Sequence, residues 1–158
     1  SIYSGTGDRK KFKPTQEVME SMMTPAPEER AAYIEYMARY YKLISGTGIP
    51  FAEKFHRNLA GQSYDRSFCP EGAARQYLAI MSQNNRTSDL GKLNVPALII
   101  HGDEDPLVPL AAGKATAEAI PNAELKIIKG MGHAMPNLNA YWSDILEEMK
   151  NHMEKVTA

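Results

Sequence analysis

Several features are scarce in this chain of 158 residues, and each scarcity removes a class of protein. It holds one cysteine, Cys69, so no disulfide can form within it. That fits a reducing compartment and leads to the expectation of a cytoplasmic protein. Neither sign of charge is in excess: 18 Lys and Arg face 19 Asp and Glu, for a formal net charge of −1. The chain therefore lacks the electrostatic footprint that nucleic acid or an anionic membrane would require. No apolar run approaches the roughly 18 residues of a membrane span, and no signal-peptide pattern opens the sequence. No His, Cys, Asp or Glu cluster has zinc-ligand spacing, and no glycine loop reads as a phosphate cradle. The expectation is thus no metal and no organic cofactor. What is present is ordinary globular material, 43% hydrophobic and 23% charged, in the length of one domain.

Residues 1–8 read as the end of a strand entering a glycine-bearing loop. Because Ser1 stands in the middle of that element, an N-terminal part is expected outside this chain. A short helix is predicted over 15–23, broken by Thr24-Pro25-Ala26-Pro27. Glu28 and Glu29 then open a longer helix to about residue 44, since acidic residues suit the positive end of the helix dipole. Gly46, Gly48 and Pro50 end it. Further helices are predicted over 51–62 and from Pro70-Glu71-Gly72 to about residue 84.

The character changes near residue 91. Val95-Pro96-Ala97-Leu98-Ile99-Ile100, closed by His101-Gly102, is a short continuous apolar run. Such runs fit strands buried on both faces of a parallel sheet. An alanine-rich helix follows over 110–119, then a strand over 124–129 holding Leu125, Ile127 and Ile128. The last helix, about 140–155, places Trp142, Ile145, Leu146, Met149 and Met153 at helical spacing. Strand, helix, strand, helix is a βαβ unit with a crossover long enough for parallel pairing. Three parts follow: a strand and loop over 1–14, a helical segment over 15–90, and an α/β unit over 91–158.

In open parallel sheets, functional groups gather beyond the carboxyl ends of the strands. Asp105 follows the first strand of the α/β unit and His133 follows the second. If those strands are neighbours, a carboxylate and an imidazole share one crevice. A carboxylate there bonds one ring nitrogen, selects the tautomer, and stabilises the imidazolium formed in proton transfer. Gly130 and Gly132 let the backbone bend sharply at the histidine.

These residues carry a family resemblance. His101-Gly102-Asp103-Glu104-Asp105-Pro106-Leu107-Val108-Pro109 resembles the acid loop of α/β-hydrolases, and Gly130-Met131-Gly132-His133 resembles their histidine loop. The order, acid before histidine, agrees with the family order of nucleophile, acid and histidine. The resemblance implies the C-terminal part of an α/β-hydrolase fold, with 15–90 as a helical cap and Asp105 and His133 as catalytic acid and base. The similarity is to esterases and related serine hydrolases, so it implies a small ester-like or other acyl substrate.

One departure is large. The Gly-x-Ser-x-Gly turn that exposes a nucleophilic serine is absent. Gly61-Gln62-Ser63-Tyr64-Asp65 lacks the final glycine and follows a helix; Ser4 precedes Gly5 without a strand–turn–helix after it. The nucleophile is therefore expected outside this chain. An aspartate there would imply dehalogenase or epoxide-hydrolase chemistry instead of acyl transfer. The competing reading is a catalytically inactive fragment that only folds, self-associates or binds a partner. Both readings expect the strand at 1–4 to neighbour that at 97–101, which in turn neighbours 125–129. The open side of the first strand would be covered by the N-terminal segment or by a second copy.

Other residues have plainer expectations. Asp103 is the competing acid, although Asp103 and Glu104 read as solvated or loop-bonding residues. His101 reads as structural, and His56 and His152 as ordinary surface residues. Tyr33, Tyr36, Tyr40 and Tyr41 form an amphipathic packing stripe, with polarisation of an epoxide oxygen as the alternative. Met22, Met23, Met37 and Met81 either fill the core or line an adaptable apolar pocket.

Overall fold

A computed structural model describes residues 5–134 and 141–157. The first part is helical. Helices α1 (Gln16–Met23), α2 (Arg30–Ile44), α3 (Glu53–Arg66), α4 (Pro70–Ser82) and the short α5 (Thr87–Leu90) follow one another with no strand between them. The α/β unit comprises β1 (Leu98–Gly102), α6 (Leu110–Ala119), β2 (Glu124–Ile128) and α7 (Trp142–Thr157).

Helix starts follow their capping chemistry. The Thr15 side chain accepts from the Val18 backbone N–H and opens α1. The Glu29 carboxylate accepts from Ala31 and Ala32 N–H, which holds it below its ordinary pKa. Glu29 therefore caps α2 instead of lying inside it, and the helix begins two residues later than the acidic pair suggested. Pro70 supplies the first turn of α4, where its missing N–H costs nothing. The short α5 was not anticipated; Asn85 prepares it by accepting from Thr87 N–H with its side-chain oxygen.

Strands β1 and β2 are parallel neighbours, in register from Leu98 opposite Glu124 to Gly102 opposite Ile128. The first strand begins later than the apolar run, because Pro96 has no N–H to donate to a ladder. The second ends at Ile128 and not at Lys129. The crossover is α6, whose small residues bring its backbone close to the sheet: Ala112, Gly113 and Thr116 are buried. The expected strand at 1–4 lies outside the described residues.

Val18, Ala38, Ile44 and Ala60 form the buried interior of the helical segment, while Ala112, Ile120 and Ile128 form that of the α/β unit. Helices α2 and α3 are pinned by a bidentate Arg30–Asp65 pair, both bonds 2.7 Å, and by Arg57 bonding Glu35. The tyrosine stripe packs as an amphipathic face: Tyr33 contacts the rings of Tyr64 and Phe68, and Tyr36 Oη donates toward the Ser21 and Thr24 carbonyls.

Two histidines differ from expectation. His56 is 5% exposed, stacked on Phe51 at 4.5 Å and flanked by Tyr41 and Phe55. Its Nδ1–H donates to the Ala52 carbonyl at 2.9 Å, so burial leaves that polar atom satisfied. His152 is half-buried on α7, with Nδ1 3.3 Å from a Glu124 carboxylate oxygen. Apolar side chains also stand in the open, notably Leu78 on α4 and Leu146 and Met153 on α7, each more than half exposed.

Candidate active site

The two strands end side by side, and the loops leaving them lie against each other. Glycine makes that approach possible at Gly102, where an added Cβ would collide with the Met131 carbonyl oxygen. The loops are then clamped through their backbones. Asp103 N–H donates to the Ile128 carbonyl at 3.2 Å, and Glu104 N–H donates to the Met131 carbonyl at 3.1 Å. The Asp103 carboxylate accepts from Gly130 N–H at 2.6 Å. Gly130 has φ +73°, the left-handed conformation in which glycine carries no Cβ penalty.

Within this clamp, His133 Nδ1 lies 2.8 Å from Asp105 Oδ2. The aspartate side chain is 6% exposed and that of the histidine 20%. Asp105 Oδ1 accepts from Leu107 N–H at 2.9 Å and from Val108 N–H at 2.8 Å. One carboxylate oxygen therefore folds its own loop while the other faces the imidazole. A buried carboxylate without such partners would be costly. An ionised carboxylate only accepts, so Nδ1 of His133 carries the proton, and Nε2 is the basic nitrogen of the neutral ring.

Both acid candidates from the sequence thus have a place. Asp105 contacts His133, whereas Asp103 bonds a backbone N–H of the histidine loop. Glu104 turns the other way. Its carboxylate accepts from Thr47 N–H at 2.6 Å and Thr47 Oγ1–H at 3.0 Å, across from the helical segment. Ser63 lies inside α3, away from any strand-to-helix turn, so it has no nucleophile geometry.

Sequence reasoning missed how the end of α2 enters this site. His133 N–H and Ala134 N–H both donate to the Ile44 carbonyl, at 2.7 and 3.1 Å, and Gly48 N–H donates to the Gly130 carbonyl at 3.0 Å. Gly46 and Gly132 face each other there with no room for a Cβ on either. In the sequence alone, Gly46 and Gly48 signal only the end of a helix. Tyr40 also stands near the pair: burial raises its phenol above the ordinary value, with smaller contributions from Tyr36, Tyr41 and the charge of Asp105. A separate recess of about 350 Å³, touching Thr6, Lys11 and Glu118, includes neither member of the pair. Among the described residues, no group of three or more acidic, His or Cys side chains could hold a metal, and no helix is long and apolar enough to cross a membrane.

Comparison with known proteins agrees with this architecture. The family model described as alpha/beta hydrolase fold matches residues 19–137. A non-heme chloroperoxidase of Kitasatospora aureofaciens is 48% identical over 50 residues, which are 31% of this chain and 18% of that protein. A bifunctional esterase/perhydrolase of Acinetobacter calcoaceticus is 40% identical over 72 residues, 44% of this chain and 26% of that protein. Among solved structures, a bromoperoxidase from Bacillus anthracis superposes with a TM-score of 0.63 at 26% identity, over 88% of this chain and 49% of its own. An esterase from a Rhodococcus species gives 0.64 at 20% identity, over 97% and 49%. The chain spans about half the length of these solved proteins. With a family match over well more than half its residues and acid and histidine loops at the ends of adjacent parallel strands, the chain belongs to the α/β-hydrolase fold family.

Proposed function

We propose that this chain supplies the acid and base of a Ser-Asp-His triad that hydrolyses an ester or similar acyl substrate. The observation that carries this reading is the 2.8 Å Asp105–His133 bond at the carboxyl ends of two parallel strands. The serine comes from a segment outside these residues. It attacks the acyl carbon while His133 Nε2 takes its proton; the same nitrogen then protonates the leaving group. Asp105 holds the ring by Nδ1 and stabilises the imidazolium. The helical segment 15–90 acts as the cap that excludes water and shapes the acyl pocket. Esterase and perhydrolase names among the relatives support acyl chemistry.

The test joins this chain to the nucleophile-bearing half of a related esterase, by fusion or by co-expression. The expected result is hydrolysis of p-nitrophenyl acetate and labelling of the serine by a fluorophosphonate. His133→Ala should abolish both. Undiminished turnover in that variant would overturn the reading. A second arm with hydrogen peroxide and bromide addresses the haloperoxidase names of other relatives.

The exposed Leu78, Leu146 and Met153 favour a second reading, in which the chain works by association alone. Here the N-terminal segment or a second copy covers those side chains. The hydrolysis assay run beside light scattering and mass spectrometry distinguishes the two readings: a stable association with no hydrolysis in any pairing supports the second.

A further inference from the structure

The scheme above leaves the imidazole nearest Asp105 after that of His133 without a role. His101 ends the apolar part of β1, and its side chain is 12% exposed. Its Nε2 lies 2.8 Å from the Val108 carbonyl oxygen. A carbonyl only accepts, so Nε2 carries the proton and donates it. The same nitrogen is 3.7 Å from Asp105 Oδ2, beyond hydrogen-bond range. The proximity to Asp105 is therefore not a second ion pair of the triad type; the bond goes to Val108.

Val108 is also held from its other side. Its N–H donates to Asp105 Oδ1 at 2.8 Å. One residue thus links two side chains: His101 grips its carbonyl, and Asp105 grips its N–H. With Oδ1 fixed by Val108 and Leu107, rotation of the carboxylate is arrested, and Oδ2 is presented to His133 Nδ1. The His101 ring is itself fixed by α6. A Cβ added at Gly113 would lie 2.5 Å from His101 Nδ1 and 2.8 Å from its Cγ, so the bare helix backbone abuts the ring.

We propose that His101 is a positioning residue for the Asp105–His133 pair, acting through Val108. It need touch neither substrate nor the reacting atoms. Its donor fixes the loop conformation that sets the carboxylate angle. The catalytic importance of this role rests on the triad reading, but the geometry can be tested without any hydrolysis.

The experiment uses the whole chain labelled with ¹⁵N and reads the imidazole Nδ1–H of His133, which a carboxylate partner moves far downfield. His133→Gln assigns the resonance by removing it. His101→Phe keeps ring volume and removes the donor. His101→Gln places an amide N–H close to where Nε2 stands. The expected result is a displaced or exchange-broadened His133 resonance in His101→Phe, with far-UV circular dichroism unchanged, and recovery in His101→Gln. A mere space-filling role would give the opposite order, since Phe fills the site better than Gln. If the phenylalanine variant does not fold, His101→Asn serves, because its shorter amide falls short of the Val108 carbonyl. The proposal is overturned if the resonance is the same in Phe and wild type, or, among folded polar variants, the same in Gln and Asn. An altered resonance in His101→Phe together with no hydrolysis in any joined form would retain the positioning role and remove only the triad function.

Discussion

Gly132→Ala is the sharpest test of how the helical segment and the histidine loop are joined. Gly132 is buried beside the α2 terminus. An added Cβ would press on Gly46 N and the Ile44 carbonyl oxygen, and would stand 2.6 Å from the Ser45 carbonyl carbon. All three are backbone atoms, so no side-chain rotation relieves the contact. Gly132 does not adopt a positive φ, so the cost is collision and not backbone strain. Overpacking of this kind costs about 1–3 kcal/mol. Separation also strains the two bonds from His133 and Ala134 N–H to Ile44, each worth about 0.5–1.5 kcal/mol net. The expected loss is about 2–6 kcal/mol, a large share of a typical domain stability of about 5–15 kcal/mol. Gly91→Ala is the matched control. Its backbone is right-handed helical at φ −65°, ψ −13°, and the nearest atoms to a new Cβ are 3.6 Å away. It should be neutral or gain about 0.4–1 kcal/mol through the unfolded chain. Urea unfolding followed by circular dichroism measures both, and the His133 imidazole resonance reports the site. If Gly132→Ala stays within about 0.5 kcal/mol of wild type and leaves that resonance unmoved, the tight junction described here is not real.

Asp105→Asn should lower kcat of the joined, active form by about 10⁴-fold, because an amide in place of the carboxylate favours the wrong histidine tautomer; steady-state hydrolysis checks it. Glu104→Ala should cost about 1 kcal/mol and speed amide exchange at Thr47, whose N–H loses its 2.6 Å partner; hydrogen exchange with urea unfolding reads both. The Glu124 carboxyl is held below its ordinary 4.5, chiefly by the Lys155 hydrogen bond and less by His152. Its stabilising contribution is present above 4.5 and lost as pH falls through the depressed folded value. Melting temperature should accordingly decline in acid, with a shallower decline in Glu124→Gln.

The elements legible in the sequence were those set by local chemistry. Thr24-Pro25-Ala26-Pro27 forces a break between α1 and α2, and the apolar run before His101-Gly102 marks a strand, although Leu98 to His101 are half-buried and only Gly102 is fully enclosed. The Asp105–His133 pairing was legible because two motifs follow consecutive strands, so parallel neighbours bring them together. The features missed depend on contacts distant in sequence. Polar His56 looked like surface, yet α3 turns it into rings contributed by α2 and by the preceding loop. Glu104 looked solvated, yet its partner is 57 residues away at Thr47. Gly46 and Gly132 are each an unremarkable loop glycine alone; only the fold makes them facing surfaces.

That last contact changes how the helical segment is to be understood. A cap that only lay across the strand ends could slide without disturbing what lies beneath. Here the chain leaving α2 bonds directly to the backbone on both sides of the histidine loop, through Ile44 to His133 and Ala134 and through Gly48 to Gly130. Its next residue but one before Gly48's neighbour Ile49, Thr47, bonds Glu104, adjacent in sequence to Asp105. Motion at this end of the segment is therefore coupled to the geometry of the Asp105–His133 pair. The end of α2 is therefore part of what holds the histidine in place, and not a separate layer laid over it.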